Sequence, residues 1–478
     1  MTDPDALQER RLNAMPGHRE LTLPPVVQRL LHTLQQAGYE AYVVGGCVRD
    51  SLMGRVPNDW DICTSALPDQ LEQLFGGYPL LLNGKRHGTV AVVLEGHSWE
   101  ITTFRQDGAY TDGRHPDSVR FVPDVCADLA RRDFTVNAMA WSPDAGLIDP
   151  FGGRRDLAAG LLRCVGDPGA RFAEDALRVL RAARFAAQLD FALDPATAAA
   201  ALCCRDSVAR IAPERLYTEL DKLLAGPAAG RVLAEHGPLL AGALPEILPC
   251  IGCGQPGRWH CYDVWTHTAV AVGSIRAGGF DEPLRAHGDH SGPRVLRWAA
   301  LLHDLGKPVC RTVGPDGAAH FPGHNQRGGQ MARAILQRLR APAYLIEGAP
   351  ALVAMHDAPL PGSTPETLRL LHRRGPQFVR RLCQLKRADL AAHAQNEAVA
   401  ARTAEVQRFL VQMERLAAGG CYRLSTLAVN GADALAAGLR PGPAVGQALN
   451  ALLQAVMDGT LPNDRDALLG ALREKRLS

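Results

Sequence analysis

Residues 43–61 constrain this chain most, because an apolar run ends there in two glycines and a spaced pair of carboxylates follows. The apolar run predicts a buried strand that enters a tight turn at Gly45 and Gly46. Glycines at such a turn let main-chain N–H groups approach a phosphate. Arg49 adds a fixed positive charge, so we expect Gly46 and Arg49 to bind phosphate.

The carboxylate pair is Asp59 and Asp61, two positions apart. On a strand this spacing places both side chains on one face, close enough to share a divalent cation. Such a cation neutralises triphosphate oxygens and activates an attacking hydroxyl, as nucleotidyl transfer requires. We therefore predict that Asp59 and Asp61 are catalytic ligands of Mg²⁺. Glu100, on a later predicted strand, is a candidate third carboxylate that the residues alone leave open.

Length and composition limit the class of protein. With 478 residues the chain is expected to form several domains. Its net charge is only +2, so nucleic-acid binding would have to use local basic patches. The twelve cysteines are scattered through apolar segments without a signal peptide, which favours reduced thiols and a cytoplasmic location. No run approaches the roughly 20 apolar residues of a membrane span, and no protein partner is evident.

A helix is predicted over residues 174–185. Asp175, Arg178 and Arg181 recur every three residues, so neighbouring members share one face, whereas Arg184 lies further round. An ordinary salt-bridged helix would show the same pattern. A carboxylate and a guanidinium can, however, also present a hydrogen-bonding edge to a nucleobase.

A second constellation lies later in the chain and follows the order histidine, histidine-aspartate, aspartate: His267, His303, Asp304 and Asp389. Imidazole nitrogens and carboxylate oxygens suit Mn, Mg, Fe or Ni better than a closed thiolate zinc site. Cys250 and Cys253, with His260 nearby, form a lone CxxC pair. Because a second pair is missing, we do not expect structural zinc there.

Several strings carry a family resemblance. GGCVRD at 45–50 and NDWDICTSALP at 58–68 resemble the class II tRNA nucleotidyltransferase (CCA-adding) and bacterial poly(A) polymerase family, within the polymerase β superfamily. RRDFTVNA at 131–138 and EDALRVLRAARF at 174–185 are similar to two further motifs of that family. WAALLHDLGKP at 298–308 resembles the HD phosphohydrolase superfamily. The resemblance covers about residues 22–478.

The resemblance implies a nucleotide-binding set of Gly46, Arg49, Arg132, Asp175, Arg178, Arg181 and Arg184. Within it, Arg132 would contact the triphosphate. Asp175 and Arg178 would read the base edge, and the remaining arginines of the helix would support the nucleotide.

Four other residues have implied but less definite roles. Asp133 and Asn137 fall in the RRDFTxNA motif and would line the ribose pocket or support the structure. His324 and His356 fall where binuclear HD proteins place additional ligands. The metal, substrate and activity of the HD site stay open.

The implied fold is α+β, with a small mixed-sheet nucleotidyltransferase head of the polymerase β type followed by helical domains. The expected divisions are a flexible leader 1–21, the head 22–147, a helical neck with the nucleotide-reading helix 148–225, a helical body with the HD domain 226–393, and a helical tRNA-binding tail 394–478.

The implied function is template-independent addition of CMP, CMP and AMP to the 3′ end of tRNA from CTP and ATP, for tRNA maturation and repair. Mg²⁺ would serve this reaction, and Mn²⁺, Ni²⁺ or Fe²⁺ would serve an additional HD-dependent phosphohydrolase. The alternatives are a poly(A) polymerase, a specialist that adds only CC or only A, and an HD phosphohydrolase with an RNA-binding head. The turn at 84–88 disfavours the first, and a predicted mobile loop at 105–120 favours complete CCA addition.

Overall fold

The computed structural model describes residues 21–108, 118–315 and 317–473. It divides into two compact units, one comprising the chain up to residue 228 together with 236–245, the other comprising 229–235 and the chain from 246 onward. The leader expected at 1–21 lies outside the described residues except for its last position, as does the centre of the loop expected at 105–120. The finer division into head, neck, body and tail stays a prediction.

The strands, in chain order, are β1 Ala41–Val44, β2 Ile62–Thr64, β3 Leu80–Leu81, β4 Thr89–Leu94, β5 His97–Thr103, β6 Arg105–Asp107, β7 Val119–Phe121, β8 Ala140–Ser142, β9 Gly146–Ile148, β10 Leu161–Leu162, β11 Ala192–Leu193, β12 Thr312–Val313 and β13 Ala319–His320. A seven-stranded sheet has the order β3-β4-β5-β2-β1-β8-β9. Its β2–β5 pair is parallel and its other pairs are antiparallel. The predicted mixed sheet is therefore confirmed.

The helices of the first unit are α1 Pro25–Gln36, α2 Gly46–Leu52, α3 Pro68–Leu74, α4 Val125–Ala130, α5 Gly153–Ala159, α6 Pro168–Glu174, α7 Leu177–Leu189, α8 Pro195–Cys204 and α9 Pro213–Leu224. The sheet buries strand β1 completely, and β6 pairs with β7 as a separate two-stranded ribbon. One buried cluster joins Tyr42 of β1 and Phe104, which lies between β5 and β6, to Leu129 of α4. This packing fixes the end of β1, where the turn at Gly45 begins.

The helices of the second unit are α10 Ala229–His236, α11 Val264–Ala277, α12 Glu282–Ala286, α13 Gly292–Leu302, α14 Lys307–Cys310, α15 His324–Arg338, α16 Ala343–Met355, α17 Thr364–Ala391, α18 Glu397–Gly419, α19 Gly431–Ala436, α20 Pro443–Met457 and α21 Arg465–Arg473. Helix α17 is kinked at Gly375, which has φ +75° and precedes Pro376. Proline cannot donate the helical hydrogen bond at this point, which explains the kink. Among the helices described, none is long and apolar enough to cross a membrane.

The sequence places Asp59 and Asp61 on a strand, and this is wrong. Strand β2 begins only at Ile62, after both carboxylates. The main-chain N–H of Val44 donates to the Asp61 carbonyl at 3.0 Å, which is the last link between β1 and this segment. Because the chain turns at Gly45, the pairing with β1 does not continue to Asp59, and neither aspartate belongs to a strand.

The single helix predicted over 174–185 is also wrong. Helix α6 ends at Glu174 and α7 begins at Leu177, while Asp175 has an extended backbone with φ −139° and ψ 105°. Its side chain accepts a hydrogen bond from the Leu177 N–H at 3.0 Å. Aspartate favours this capping arrangement over a helix interior, because its short side chain bonds nearby main-chain groups.

Candidate functional site

The turn after β1 makes room for an arginine. Gly45 has φ +83°, a conformation that favours glycine, and its N–H donates to the Met139 carbonyl at 3.0 Å. A Cβ atom added at Gly45 would lie 2.9 Å from Nη1 of Arg132. The missing side chain therefore admits a guanidinium group, and Gly46 begins α2 beside it.

Arg49 is buried and paired, although the sequence predicts a phosphate contact. Its Nη1 donates to Oδ1 of Asn137 at 2.5 Å, and its Nη2 lies 2.8 Å from Oδ1 of Asp50. These contacts tie helix α2 to the RRDFTVNA segment. The charge of Arg49 is already compensated inside the unit.

The carboxylates of Asp59 and Asp61 lie immediately before β2, and both residues are exposed. Although Asp61 as a residue is exposed, its carboxyl group lies against the protein, and this loss of hydration raises its pKa. The Arg132 guanidinium lowers that pKa, and the Asp59 carboxylate raises it. Two acidic groups and one guanidinium are therefore close enough to influence one another.

The sheet register also brings in Glu100. Strands β2 and β5 are parallel, and Ile62 is paired with Ile101. Continued by one residue, this register sets Asp61 beside Glu100, which is exposed. Glu100 as a third carboxylate stays a prediction that the register supports.

Asp133 is at the centre of a buried network. Its Oδ2 accepts from Nε of Arg181 at 2.7 Å, and its Oδ1 accepts from the Phe134 N–H at 2.8 Å and from Nδ2 of Asn137 at 3.2 Å. Burial acts to raise the pKa of Asp133, but the Arg181 guanidinium and these hydrogen bonds outweigh it and lower the pKa to about 2. Asp133 is therefore a charged structural anchor for helix α7.

Asp175 and Arg178, the predicted base-reading pair, have separate partners at the break between α6 and α7. Oδ2 of Asp175 lies 3.4 Å from Nη2 of Arg215. Nη1 of Arg178 donates to Oε2 of Glu174 at 2.5 Å, and its Nη2 donates to the Arg131 carbonyl at 3.1 Å. Both side chains are thus held by the protein at the start of α7.

Arg184 faces the opposite side of the network and pairs with Glu219 of α9, with Nε 2.7 Å from Oε2. Burial lowers the pKa of Arg184 to about 10 against the opposing effect of Glu219. Arg184, Arg181 and Arg49 also lie over the Phe185 ring, at 3.9, 5.2 and 5.4 Å from its centroid. Arg184 therefore joins helix α7 to helix α9.

Four histidines that lie close together in the second unit share one hydrogen-bond arrangement, which is also found at His287, His372 and His393. The Nδ1 atom of each lies within 3.1 Å of a main-chain carbonyl: His267 with Ala392, His303 with Ala300, His324 with Phe321 and His356 with Val353. This bond fixes the ring and leaves Nε2 available as a ligand atom.

The first group of ligand atoms contains His267, His303 and Asp389. Nε2 of His267 lies 2.8 Å from Oδ1 of Asp389 and 3.4 Å from Nε2 of His303. Asp304 adjoins this group, with Oδ2 3.3 Å from Nε2 of His303. The structure therefore brings together all four predicted HD residues.

The second group contains Asp304, His324 and His356. Oδ1 of Asp304 lies 3.6 Å from Nε2 of each histidine, and the two Nε2 atoms are 3.3 Å apart. Asp304 thus faces both groups, one oxygen toward each. The two histidines that the sequence indicates less definitely do converge on the predicted centre.

Mutual interactions shift the protonation of these groups. Burial lowers the pKa of His303, but the carboxylates of Asp304 and Asp389 outweigh it and raise the pKa to about 10. Burial would raise the pKa of Asp304, yet His303 and Lys307 hold it well below its ordinary value. The centre therefore holds carboxylates in their anionic form, as cation ligands must be.

A pocket of about 430 Å³ opens onto this centre, and we call it the metal pocket. Its lining includes Asp304 and Asp389 at the centre, and Trp259, His260 and Arg402 elsewhere on the wall. A pocket of this size accommodates a small-molecule or nucleotide-sized ligand.

Comparison with known proteins identifies both regions. The family model described as "Poly A polymerase head domain" matches residues 41–163, and "HD domain" matches residues 264–392. The CCA-adding enzyme of Geobacillus thermodenitrificans is 37% identical over 95% of this chain and 98% of the relative. This chain belongs to the CCA-adding enzyme family. The resemblance predicted from the motifs is confirmed, and the chain is a nucleotidyltransferase.

Other members of the CCA-adding enzyme family agree. The enzyme of Levilactobacillus brevis is 33% identical over 97% of this chain and 100% of its own length. The crystal structure of the Bacillus stearothermophilus CCA-adding enzyme in complex with CTP is similar, with a TM-score of 0.64, 32% identity and coverage of 95% and 98% of the two chains. The Thermotoga maritima enzyme complexed with tRNA shares the fold at a TM-score of 0.59, with 20% identity and 98% coverage of each chain.

Within this CCA-adding family member, sequence reasoning missed some residues of the HD centre. The sequence groups His260 with Cys250 and Cys253, but its ring centroid lies 5.1 Å from that of His267 and 4.5 Å from that of His393. His260, His267 and His393 form a further group of mutually close ligand atoms. The one sequence signal for this group is the position of His393, one helical turn after Asp389.

Proposed function

We propose that this protein adds CMP, CMP and AMP to the 3′ end of tRNA, using CTP and ATP without a nucleic-acid template. Two observations support this, the names of full-length relatives and the grouping of Asp59, Asp61 and Arg132 beside the turn at Gly45. The grouping carries the proposal, because a triphosphate with its metal ion needs carboxylates and a guanidinium close together, and these residues provide both.

Asp59 and Asp61 would hold Mg²⁺. Their carboxylate oxygens are the hard ligands that Mg²⁺ prefers, and their exposure leaves room for substrate oxygens and water around the ion. When bound, the metal supplies charge neutralisation at the phosphates and activation of the attacking hydroxyl. Arg132, next to Asp61, would bind the triphosphate through its guanidinium fork.

Asp175 and Arg178 would read the incoming base. The carboxylate accepts from an exocyclic amino group, and the guanidinium donates to ring nitrogens and carbonyls. Glu174 and the Arg131 carbonyl hold Arg178 in place, and the cap to Leu177 holds Asp175. Arg181 and Arg184, which pair with Asp133 and Glu219, would support the nucleotide beside these two residues.

The deciding experiment offers the purified protein a tRNA that ends before CCA, with labelled CTP and ATP supplied singly and together. Full CCA addition needs both nucleotides, whereas a poly(A) polymerase would extend with ATP alone and a specialist would stop after CC or add only A. Asp59→Ala and Asp61→Ala should each lower incorporation by about 10³-fold or more. Asp144→Ala, an exposed aspartate in the turn between β8 and β9, is the matched control. Incorporation by Asp61→Ala within about tenfold of Asp144→Ala would refute the metal-ligand role.

A second activity is supported by the HD centre, and we infer that it hydrolyses phosphate esters with a divalent metal. Its ligand set of four imidazoles and two carboxylates suits Mn²⁺, Ni²⁺ or Fe²⁺, and each Nε2 is directed by a main-chain bond from Nδ1. When bound, such metals polarise a phosphoryl oxygen and lower the pKa of a water molecule. Release of phosphate from p-nitrophenyl phosphate, absent in Asp304→Asn, would test this. The cytoplasmic location stays a prediction.

A further inference from the structure

Arg402 lies on the wall of the metal pocket, away from the ligand residues. Among the described residues that line this pocket, it is the one arginine. It belongs to helix α18 and is exposed. Its guanidinium carbon lies 5.5 Å from the centroid of the Trp259 ring, within the range of a cation–π contact.

Trp259 is fixed where it can restrain this arginine. Its carbonyl accepts from the Ala394 N–H at 2.8 Å, and Nδ2 of Asn396 donates to the neighbouring Arg258 carbonyl at 2.8 Å. The half-buried ring also packs against the apolar core of the unit. A guanidinium held over such a ring keeps its N–H donors free for an anion.

The other basic side chains of the pocket are already bonded. Nζ of Lys307 lies 2.7 Å from Oδ2 of Asp304, and Nζ of Lys386 donates to the His356 carbonyl at 2.6 Å. Throughout the ranges 21–108, 118–315 and 317–473, no carboxylate comes within ion-pair distance of Arg402. Arg402 therefore has N–H donors available to a ligand, whereas the two lysines of the pocket are already bonded.

We propose that Arg402, restrained by Trp259, binds a second anionic group of the substrate at the metal pocket. The site would then select phosphate esters that carry an additional phosphate over simple monoesters. This inference rests on the phosphohydrolase activity proposed above. A guanidinium fork matches two oxygens of a phosphate, and a volume of about 430 Å³ accommodates a nucleotide carrying two phosphates.

Glu405 provides a test of opposite sign. It also lines the metal pocket and lies three residues after Arg402 on α18, one helical turn away. Its carboxylate repels an anion that approaches Arg402. Neutralising Glu405 should therefore strengthen the binding of doubly phosphorylated ligands, whereas loss of Arg402 should weaken it.

The test compares kcat/KM of the full-length, Mn²⁺-loaded protein for adenosine 3′,5′-bisphosphate and for p-nitrophenyl phosphate. Arg402→Ala should lower the ratio of the two values by about tenfold or more, the range expected for a lost charge-assisted hydrogen bond. Arg402→Lys should lower it less, and Glu405→Gln should raise it. The matched control is Arg408→Ala, an exposed arginine of the same helix outside the pocket. Equal ratios for Arg402→Ala and Arg408→Ala would overturn the proposal.

A binding measurement separates this inference from the proposed hydrolysis. If the wild type hydrolyses neither ester, the hydrolytic function fails, and calorimetric titration of adenosine 3′,5′-bisphosphate in the presence of Mn²⁺ then decides the role of Arg402. Binding elsewhere on the chain is common to wild type and variants and cancels in the comparison. An increase in Kd of about tenfold in Arg402→Ala alone supports the anion site. An unchanged Kd, or a wild type that does not bind, refutes it.

Discussion

Asp133 and Arg181 form an ion pair across the first unit, in which both Nε and Nη2 of the guanidinium approach the same oxygen, Oδ2, at 2.7 and 2.5 Å. The other oxygen of Asp133 accepts from Asn137, which also binds Arg49 of helix α2. Side chains from three parts of the chain are therefore joined through one carboxylate. The helix that follows the turn at Gly45 and helix α7, at whose start the base is proposed to be read, are therefore joined through the same carboxylate.

Arg181→Ala should destabilise the first unit, because it leaves the buried Asp133 carboxylate without its cation. Breaking such a pair costs about 3–5 kcal/mol when both partners are buried, and the Arg181 side chain is 33% exposed. We therefore expect a loss of about 2 kcal/mol, measured by thermal unfolding. Arg205→Ala, which breaks a solvent-exposed pair with Asp206, is the control and should change stability little. Equal shifts in Tm for the two variants would contradict this account.

The pH dependence of the Asp133 contribution has a defined window. The folded-state pKa is lowered from 3.8 to about 2, so the stabilisation is complete above about pH 4 and is lost as the pH falls toward 2. The difference in Tm between wild type and Asp133→Asn should stay constant from about pH 8 to 5 and narrow only below about pH 4. A difference that already narrows between pH 7 and 5 would show that the pKa of Asp133 is not lowered.

Gly45→Ala should weaken triphosphate binding, because the new methyl group would displace the Arg132 guanidinium. Gly54→Ala is a close control, since Gly54 also has a positive φ, of +68°, but has nothing within 4 Å of the added atom. Both substitutions should cost about 1–2 kcal/mol of stability through the backbone. Only Gly45→Ala should also raise the KM for CTP and ATP, by about tenfold or more. Matching KM values for the two variants would separate Gly45 from triphosphate binding.

Asp175→Asn should relax the choice of base while keeping the start of α7 intact. The amide oxygen can still accept from the Leu177 N–H, but the amino group replaces an acceptor by a donor at the base edge. Discrimination of CTP and ATP against UTP and GTP should fall by about 1–3 kcal/mol, with a small change in Tm. Single-nucleotide incorporation rates measure this. A uniform slowing for all four nucleotides would mean that Asp175 only holds the fold.

Replacing both His303 and Asp304 by alanine should abolish metal-dependent phosphate release with Mn²⁺ or Ni²⁺ and leave CCA addition within a few-fold of wild type. The reason is that each set of site residues is complete within one compact unit. Thermal melting shows whether the double variant is folded. If it is not, Asp304→Asn, which keeps nearly the same side-chain shape, replaces it in the comparison. A folded variant that loses CCA addition would show that the two activities are coupled.

Local sequence patterns predicted the strand and glycine turn of residues 43–46 correctly, and the four residues predicted for the HD centre do lie close together. They failed where tertiary contacts decide, since the pairing of β1 ends before Asp59 and the cap at Asp175 divides one expected helix into two. The Arg402–Trp259 contact could not be predicted, because it joins segments far apart in sequence and no local pattern records it. Proximity in sequence gives the wrong neighbours for His260, because it indicates Cys250 and Cys253, whereas the ring lies beside His267 and His393.

Because of the position of Asp304, no substitution of this residue can affect one group of ligand atoms without the other. Its two oxygens serve different neighbours, His303 on one side and the pair His324 and His356 on the other. A change at any one histidine removes a donor from one half only. A change at Asp304 affects both groups of ligand atoms at once, so one substitution there should disable both, whereas each histidine can be varied within its own group.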